Sequence, residues 1–281
     1  MEAAQEIGAL MILGSGRDSL QRLHLLFELG ATAMCCTPIY ALRLAEAARE
    51  AGIDLRESPV RITVHAGEPG ANIPATKARI ERAWGVKCFD HAGASEVGAH
   101  TFECELQPGG NHIIESEFIV QVVDPGTGSE VPPGQMGELV ITNLNRMGFP
   151  VIRYRTGDLV NLNLDPCDCG RTFARFQGGI LGRADDMVVV RGVNIFPSAI
   201  ENLIRQFDPV NEYQIRVVPH REMYELEIRL ELAQEADLTS IQSAIESTIS
   251  ESLGLRPAIS VVPYGSLPRF ELKAKRFSIE A

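Results

Sequence analysis

The sequence predicts an α/β chain: a parallel sheet with helices, then a β-rich stretch, then a small α+β domain of ferredoxin-like type. Three observations carry this. Strand-like and helix-like segments alternate through the first ninety residues, the pattern of a doubly wound parallel sheet. After residue 110 the pattern becomes strand, turn, strand, which reads as a hairpin or a small β-subdomain. From residue 186 the order strand, helix, strand, strand, helix, strand follows, which fits a compact ferredoxin-like unit. The expected division is 1–110, 111–182 and 183–281, with the boundary to the last unit near Gly182–Asp186.

Each element has a local cause. The apolar run Gly8–Leu13 ends at Gly14-Ser15-Gly16 and reads as a first strand. Asp18 caps a helix to Leu29, closed by Gly30, because an Asp oxygen accepts from the free amides of a first turn. Thr32–Cys36 is a strand, and Thr37-Pro38 opens an Ala-rich helix to Ala51. Arg61–His65 and Val86–Phe89 are the next strands, with the amphipathic segment Pro74–Trp84 between them. By spacing, Trp84 and the leucines of Leu20–Leu29 belong to helix faces in the core. Glu117–Asp124 and Glu138–Leu144 flank a Gly/Pro-rich turn region. In the last unit Met187–Val190, Tyr213–Pro219, Glu225–Glu231 and Ala258–Val262 are strands, while Pro197–Phe207 and Leu238–Leu253 are helices.

Composition narrows the function classes. A formal net charge of −11 argues against nucleic acid or an anionic membrane as the main partner. It leaves room for one nucleotide pocket. No run of about 18 apolar residues occurs, and the start Met1-Glu2-Ala3-Ala4-Gln5-Glu6 is acidic where a signal peptide is basic. A cytoplasmic location is expected. The six cysteines read as thiols or metal ligands rather than a disulfide framework.

Polar, Gly-rich loops follow the apolar strands, and open α/β sheets bind ligands at such strand ends. Ala66-Gly67-Glu68-Pro69-Gly70 and His91-Ala92-Gly93-Ala94-Ser95-Glu96-Val97-Gly98 have small residues that let backbone approach a flat or phosphorylated ligand. Read singly, each is better taken as an ordinary strand-to-helix turn, since Gly-rich turns are common. Glu96 is suited to Mg²⁺, which takes one or two carboxylates plus phosphate oxygens. In Tyr154-Arg155-Thr156-Gly157-Asp158 the Asp can accept both ribose hydroxyls, or simply close a turn. Gly182-Arg183-Ala184-Asp185-Asp186 is a charged hinge between two patterns. The stretch from Gly265 to Arg276 is basic and suits a phosphate or carboxylate, or a solvated tail.

Taken in order, these stretches resemble the acyl-adenylate-forming superfamily, and within it the phenylacetate–CoA ligase and coenzyme F390 synthetase branch. HAGASEVG is similar to the adenine-and-Mg motif, VIRYRTGDLV to the ribose motif, GRADDMVVVRGVNIFPSAIE to the hinge and PRFELKAKR to the segment with the adenylation lysine. The resemblance implies part of a large AMP-binding domain followed by a mobile small domain. It places Gly67, Glu68 and Pro69 at the adenine, with Asp90, His91 and Gly93 nearby. Ser95 and Glu96 then face phosphate and metal, Asp158 the ribose, Arg183 the phosphate or ribose, and Asp185 is the pivot. Lys273 is the catalytic lysine, with Lys275 the fallback. The implied ligands are ATP or AMP, Mg²⁺, CoA and a carboxylic acid, with aromatic acids favoured by the branch. An acyl carrier protein and a second copy of the chain are further candidate partners.

Two departures from the family pattern stand out. Ala92 stands where many relatives carry an aromatic residue beside adenine. The Ser/Thr/Gly-rich loop that grips the β- and γ-phosphates is expected ahead of residue 1, and Gly14-Ser15-Gly16 is too short to replace it. Without those donors, ATP activation is expected to be impaired. The leading expectation is therefore an acid–CoA ligase module. The alternatives are an ATP-independent acyltransferase that moves an acyl group from CoA to a carrier-protein thiol, and a non-catalytic nucleotide- or CoA-binding protein.

A metal site is a separate expectation. Cys167-Asp168-Cys169 places two thiols on one turn, and Cys104 and His112 flank Gln107-Pro108-Gly109-Gly110. Together they make a Cys₃His set for a structural zinc ion. His65 and His100 read as structural histidines near the pocket.

Overall fold

The computed structural model describes residues 2–220, 223–233, 236–270 and 274–280. Four helices and three strands build the first layer. Helix α1 spans Glu2–Glu6, α2 Ser19–Glu28, α3 Pro38–Glu50 and α4 Pro74–Trp84; strands β1, β2 and β3 span Ala33–Cys36, Ile62–His65 and Lys87–Asp90. The strands pair in parallel in the order β1-β2-β3, with Ile62 opposite both Ala33 and Lys87. The start signals work as read. Asp18 and Gln21 form a reciprocal capping box on α2, and Thr37 accepts from Tyr40 N at the head of α3. Gly85 ends α4 at φ 66°, a left-handed turn that an L side chain resists.

The expected strand over Gly8–Leu13 does not form. That stretch carries no strand, and Leu10 is 86% exposed. An extended run becomes a strand only when a neighbour takes its amides and carbonyls. The sheet of described residues has β1 at its edge and no strand beyond it.

Hairpin β4 (Gly93–Ala94) and β5 (Gly98–Ala99) leads into a seven-stranded antiparallel sheet. Its strands are β6 (Thr101–Glu103), β7 (Gly110–Ile113), β8 (Phe118–Val123), β9 (Met136–Asn143), β10 (Tyr154–Asn163), β11 (Arg175–Gln177) and β12 (Gly182–Arg183). The order is β6-β7-β11-β10-β9-β8, with β12 also paired to β10. The expected hairpin is β8–β9, paired Phe118 to Asn143.

The last unit differs from expectation in one strand. Met187–Val190 was the predicted first strand of the ferredoxin-like sheet. Instead β13 (Val188–Val190) folds back on β14 (Val193–Ile195) as a separate hairpin. The two-residue turn at Arg191-Gly192, both with positive φ, permits that reversal. The sheet uses β15 (Val210–His220), β16 (Met223–Leu232) and β17 (Ala258–Val262), and its fourth strand is β18 (Phe277–Ile279), parallel to β15. Helices α5 (Pro197–Ile204) and α6 (Leu238–Leu253) complete it.

The apolar side chains form three clusters. One centres on Leu23, Leu44, Ile80 and Trp84. A second centres on Ile113, Leu139, Ile141 and Phe176. The third gathers residues from Val188 onward, including Ile200, Ile215, Ile228 and Ile249. Trp84 is buried and donates Nε1–H to Ala41 O at 3.0 Å. No helix among the described residues is long and apolar enough to cross a membrane.

Candidate functional site

The C-terminal ends of β2 and β3 open into a cavity of about 650 Å³. Its walls collect nearly every residue singled out above. Gly67, Glu68 and Pro69 come from the loop after β2; Asp90, His91, Gly93, Ser95 and Glu96 come from the end of β3 and the following hairpin; Asp158 and Arg183 come from β10 and β12. Residues as distant in sequence as Gly67 and Arg183 thus share one wall. Asp185 lies outside the lining; it is exposed and paired with Arg183 at 2.8 Å. Lys273 lies outside the described residues. Its neighbour Ala274 lines the cavity, whereas Lys275 is exposed and does not.

A backbone irregularity aims the ribose loop. The β9–β10 register shifts between Arg155 and Leu159, and such a bulge re-aims side chains. Gly157 sits there at φ 77°, and a Cβ on it would meet Arg183 Nη2 at 2.7 Å. Asp158 N–H donates to Thr156 Oγ1, whose hydroxyl donates to Leu139 O. Glu138, buried beneath, holds the Arg155 guanidinium. Asp158 faces Arg183 across the β10–β12 pair, with Oδ1 3.4 Å from Nη1.

Asp90 is set by a buried polar frame. Its amide donates to Glu103 Oε2 at 2.7 Å, and Asn111 Nδ2 donates to its Oδ2 at 2.5 Å. Glu103 also takes Lys77 Nζ at 2.6 Å and Gly109 N at 2.7 Å. Burial raises the Asp90 carboxyl to about 6, against the lowering effect of the Asn111 hydrogen bond. Glu68 does something its sequence context did not reveal. Its Oε1 accepts from Ile39 N at 3.1 Å and its Oε2 from Ala274 N at 2.9 Å. It therefore ties the head of α3 to the C-terminal segment. Burial pushes its carboxyl upward.

Ser95 and Glu96 are exposed at the hairpin tip, and Arg146 Nη1 holds both of their carbonyls at 3.1 and 2.9 Å. Sequence reasoning missed Arg146, since nothing near it in sequence signals a site. It also missed Asn72, which lines the cavity, donates Nδ2–H to Ile180 O at 2.5 Å and accepts from Gly70 N. A polar residue directly after a Gly-Ala turn was the available signal. His100 lines the cavity, and burial lowers it to about 4. His65 does not line it; its Nδ1 lies 3.0 Å from Cys36 O.

The four metal candidates converge elsewhere. Ligand atoms of Cys104, His112, Cys167 and Cys169 all lie within 4.8 Å of one another. Cys104 Sγ to Cys167 Sγ is 3.6 Å, and Cys169 Sγ to His112 Nε2 is 3.4 Å. A tetrahedron with Zn–S near 2.3 Å and Zn–N near 2.05 Å has edges of about 3.8 and about 3.5 Å. His112 Nδ1 lies 3.1 Å from Phe173 O, which fixes that nitrogen as the donor and leaves Nε2 for a ligand bond. Hydrogen bonds from the Arg171 backbone hold the Cys169 thiol down to about 6.

Comparisons with known proteins agree with this geometry. Residues 192–279 match the AMP-binding enzyme C-terminal domain. Over nearly its whole length the chain is similar to enzymes of the acyl-adenylate-forming superfamily. Four of its curated relatives are named phenylacetate–coenzyme A ligase. It is 32% identical to a phenylacetate–coenzyme A ligase of Thermus thermophilus over 95% of this chain and 64% of that one. It is 33% identical to the Escherichia coli enzyme over 97% of this chain and 63% of that one. The chain thus spans less than two thirds of the length of the relatives it matches. A crystal structure of 2-hydroxyisobutyryl-CoA ligase in the postadenylation state, in complex with 2-HIB-AMP, superposes with a TM-score of 0.93 at 31% identity, over 99% of this chain and 61% of that one. The same ligase in the thioesterification state gives 0.64 over the same shares. One sequence scored in two states differs only by its conformation, so the arrangement here follows the postadenylation state.

Proposed function

We propose that this chain forms the nucleotide wall and the mobile domain of an acid–CoA ligase, divided as 1–110, 111–182 and 183–281. The carrying observation is the single cavity that unites the Gly67–Pro69 loop, the Asp90–Glu96 segment, Asp158 and Arg183. The reaction has two halves. A carboxylate oxygen attacks the α-phosphorus of ATP and pyrophosphate leaves; the CoA thiolate then attacks the acyl carbon and AMP leaves. Both halves need the AMP unit held still, which converts a collision into a near-unimolecular step. Asp158 is assigned to the ribose hydroxyls as acceptor. The small loop at Gly67–Pro69 and the backbone near His91 and Gly93 are assigned to adenine, and Arg183 to the phosphate or ribose. Asp185 is assigned as the pivot of the mobile domain. Mg²⁺ suits the oxygen donors of Ser95 and Glu96 at the exposed rim, where it would neutralise phosphate charge. Lys273 is assigned to the charge that develops on the phosphates; the place of Ala274 in the wall supports this.

Four relatives named for phenylacetate favour an aromatic acid, and the resemblance to a 2-hydroxyisobutyryl-CoA ligase makes an aliphatic hydroxy acid the comparison. The test supplies chemically made phenylacetyl-AMP or 2-hydroxyisobutyryl-AMP with CoA and measures thioester and AMP. Turnover is expected, with KM for the acyl-AMP raised about tenfold or more in Asp158→Ala, since hydrogen bonds to a charged group are worth about 1.5–3 kcal/mol. No thioester from either adenylate, even at stoichiometric protein, sinks the reading.

We further infer that Cys104, His112, Cys167 and Cys169 hold a structural zinc ion that staples the β6–β7 loop to the turn before β11. All four positions are filled by protein, as in non-catalytic sites. Metal analysis is expected to give one zinc per chain, lost in Cys167→Ser. Zinc-free protein after purification and after zinc reconstitution would reject the assignment.

A further inference from the structure

A second cleft, of about 540 Å³, lies on the other side of α3 and α4, where they face the C-terminal domain. Its chemistry is unlike that of the nucleotide cavity. Eight arginines line it against three carboxylates, Glu46, Asp54 and Glu212, in a chain whose net charge is −11. Those carboxylates are already engaged. Glu46 accepts from Arg43 and Arg269, Asp54 from Arg56, and Glu212 from Arg276 at 2.5 and 2.7 Å.

What remains is a set of donors without acceptors. Among the described residues, Arg79 Nη1, Arg205 Nε and Asn211 Nδ2 are buried and have no hydrogen-bond partner, and all three residues line this cleft. Arg205 is 2% exposed. Its nearest carboxylates, Glu201 and Glu212, stand 3.8 and 4.0 Å away, beyond hydrogen-bond range. Arg49 Nη2 donates to Asn211 Oδ1 at a long 3.4 Å. A buried unpaired donor costs about 1–3 kcal/mol, more for a charged one. Three of them on one cleft, beside crowded like charges, describe a site built for an acceptor with no donors of its own. Burial, and next the Arg205 charge, push Arg79 down to about 9, against the raising effect of Asp208.

We propose that this cleft binds a small phosphate-bearing anion, held by Arg49 and Arg79 from α3 and α4 and by Arg205 and Asn211 from the C-terminal domain. Guanidinium groups match phosphate oxygens in number and geometry. The volume suits a small ligand. Because the walls come from both sides of the hinge, the anion bridges the two units and favours the arrangement in which the cleft exists. The inference rests on this cleft alone and stands whether or not the chain is a ligase.

The test is calorimetric titration of the intact protein with inorganic pyrophosphate at fixed ionic strength. Arg49→Gln, at an exposed helix end, and Arg79→Gln are the cleft variants. Arg17→Gln, whose exposed side chain lines neither cavity, is the control, and Arg183→Gln reports on the other cavity. Saturable binding by the wild type is expected, weakened at least tenfold in both cleft variants and unchanged in the control. Absence of binding, equal binding by all proteins, or loss only in Arg183→Gln would overturn the proposal. Should Arg79→Gln fail to fold, Arg49→Gln decides the matter alone.

Discussion

Asp90 shows how one residue carries both site and stability. Its carboxyl is held near 6 by burial, against an unfolded value near 3.8. Between pH about 4 and about 6 the native state therefore holds this proton more tightly than the unfolded chain does. Stability contributed by the group is present below that window and is lost as pH rises through it. Two units correspond to a differential on the order of 2–3 kcal/mol. In Asp90→Asn, denaturant unfolding at pH 4 and pH 7 should show a smaller loss of stability across that range than in the wild type. An identical pH dependence in both proteins would show that Asp90 is not the titrating group. The type of residue was legible in HAGASEVG and its leading Asp. The partners were not: Asn111 and Glu103 reach Asp90 only because β6 and β7 lie beside the end of β3.

Strand β10 is the element on which the site turns. A regular β10 would continue the β9 register and alternate its side chains without a break. The shift between Arg155 and Leu159, with Gly157 in a left-handed conformation, sets Asp158 opposite Arg183 instead. Gly157→Ala should lower stability by about 1–2 kcal/mol from backbone strain. It should also displace the Arg183 guanidinium, which the new Cβ would otherwise approach within 2.7 Å. The expected readout is weaker AMP binding together with a lower unfolding midpoint; wild-type values for both would show that the loop absorbs the change. TGD marks such a turn in sequence, since Gly before Asp permits it. The partner strand β12, two residues long, was hidden inside the predicted hinge.

At the scale of the whole molecule, the apolar side chains divide into three separate cores. The third cluster draws its apolar residues from Val188 onward and shares none with the other two. Among the described residues, several ion pairs and hydrogen bonds link it to the rest of the chain. Arg269 sits between Glu46 on α3 and Glu231 on β16, and Tyr264 reaches Glu46 and Glu50. Arg82 pairs with Asp208, and Ser198 Oγ donates to Leu181 O. Polar contacts exchange for water at little net cost, whereas a shared apolar core could not part. A fragment of residues 183–281 is accordingly expected to unfold cooperatively on its own, with protected amides in β15 and β16. A fragment without a cooperative transition would mean that the unit borrows its core from the remainder.

The sequence by itself determined the alternation of elements, the caps that start and stop the helices, the family motifs and the residue types of both candidate sites. These are local, because hydrogen bonds within a turn and side-chain periodicity involve neighbours in the chain. The tertiary structure decided what is non-local. It moved the fourth strand of the last sheet from Met187–Val190 to Phe277–Ile279 and left Gly8–Leu13 without strand partners. It turned Glu68 into a tie between α3 and Ala274, and gathered Arg79, Arg205 and Asn211 around one cleft. Pairing energy and burial depend on which distant groups meet, and no spacing along a single chain encodes that meeting.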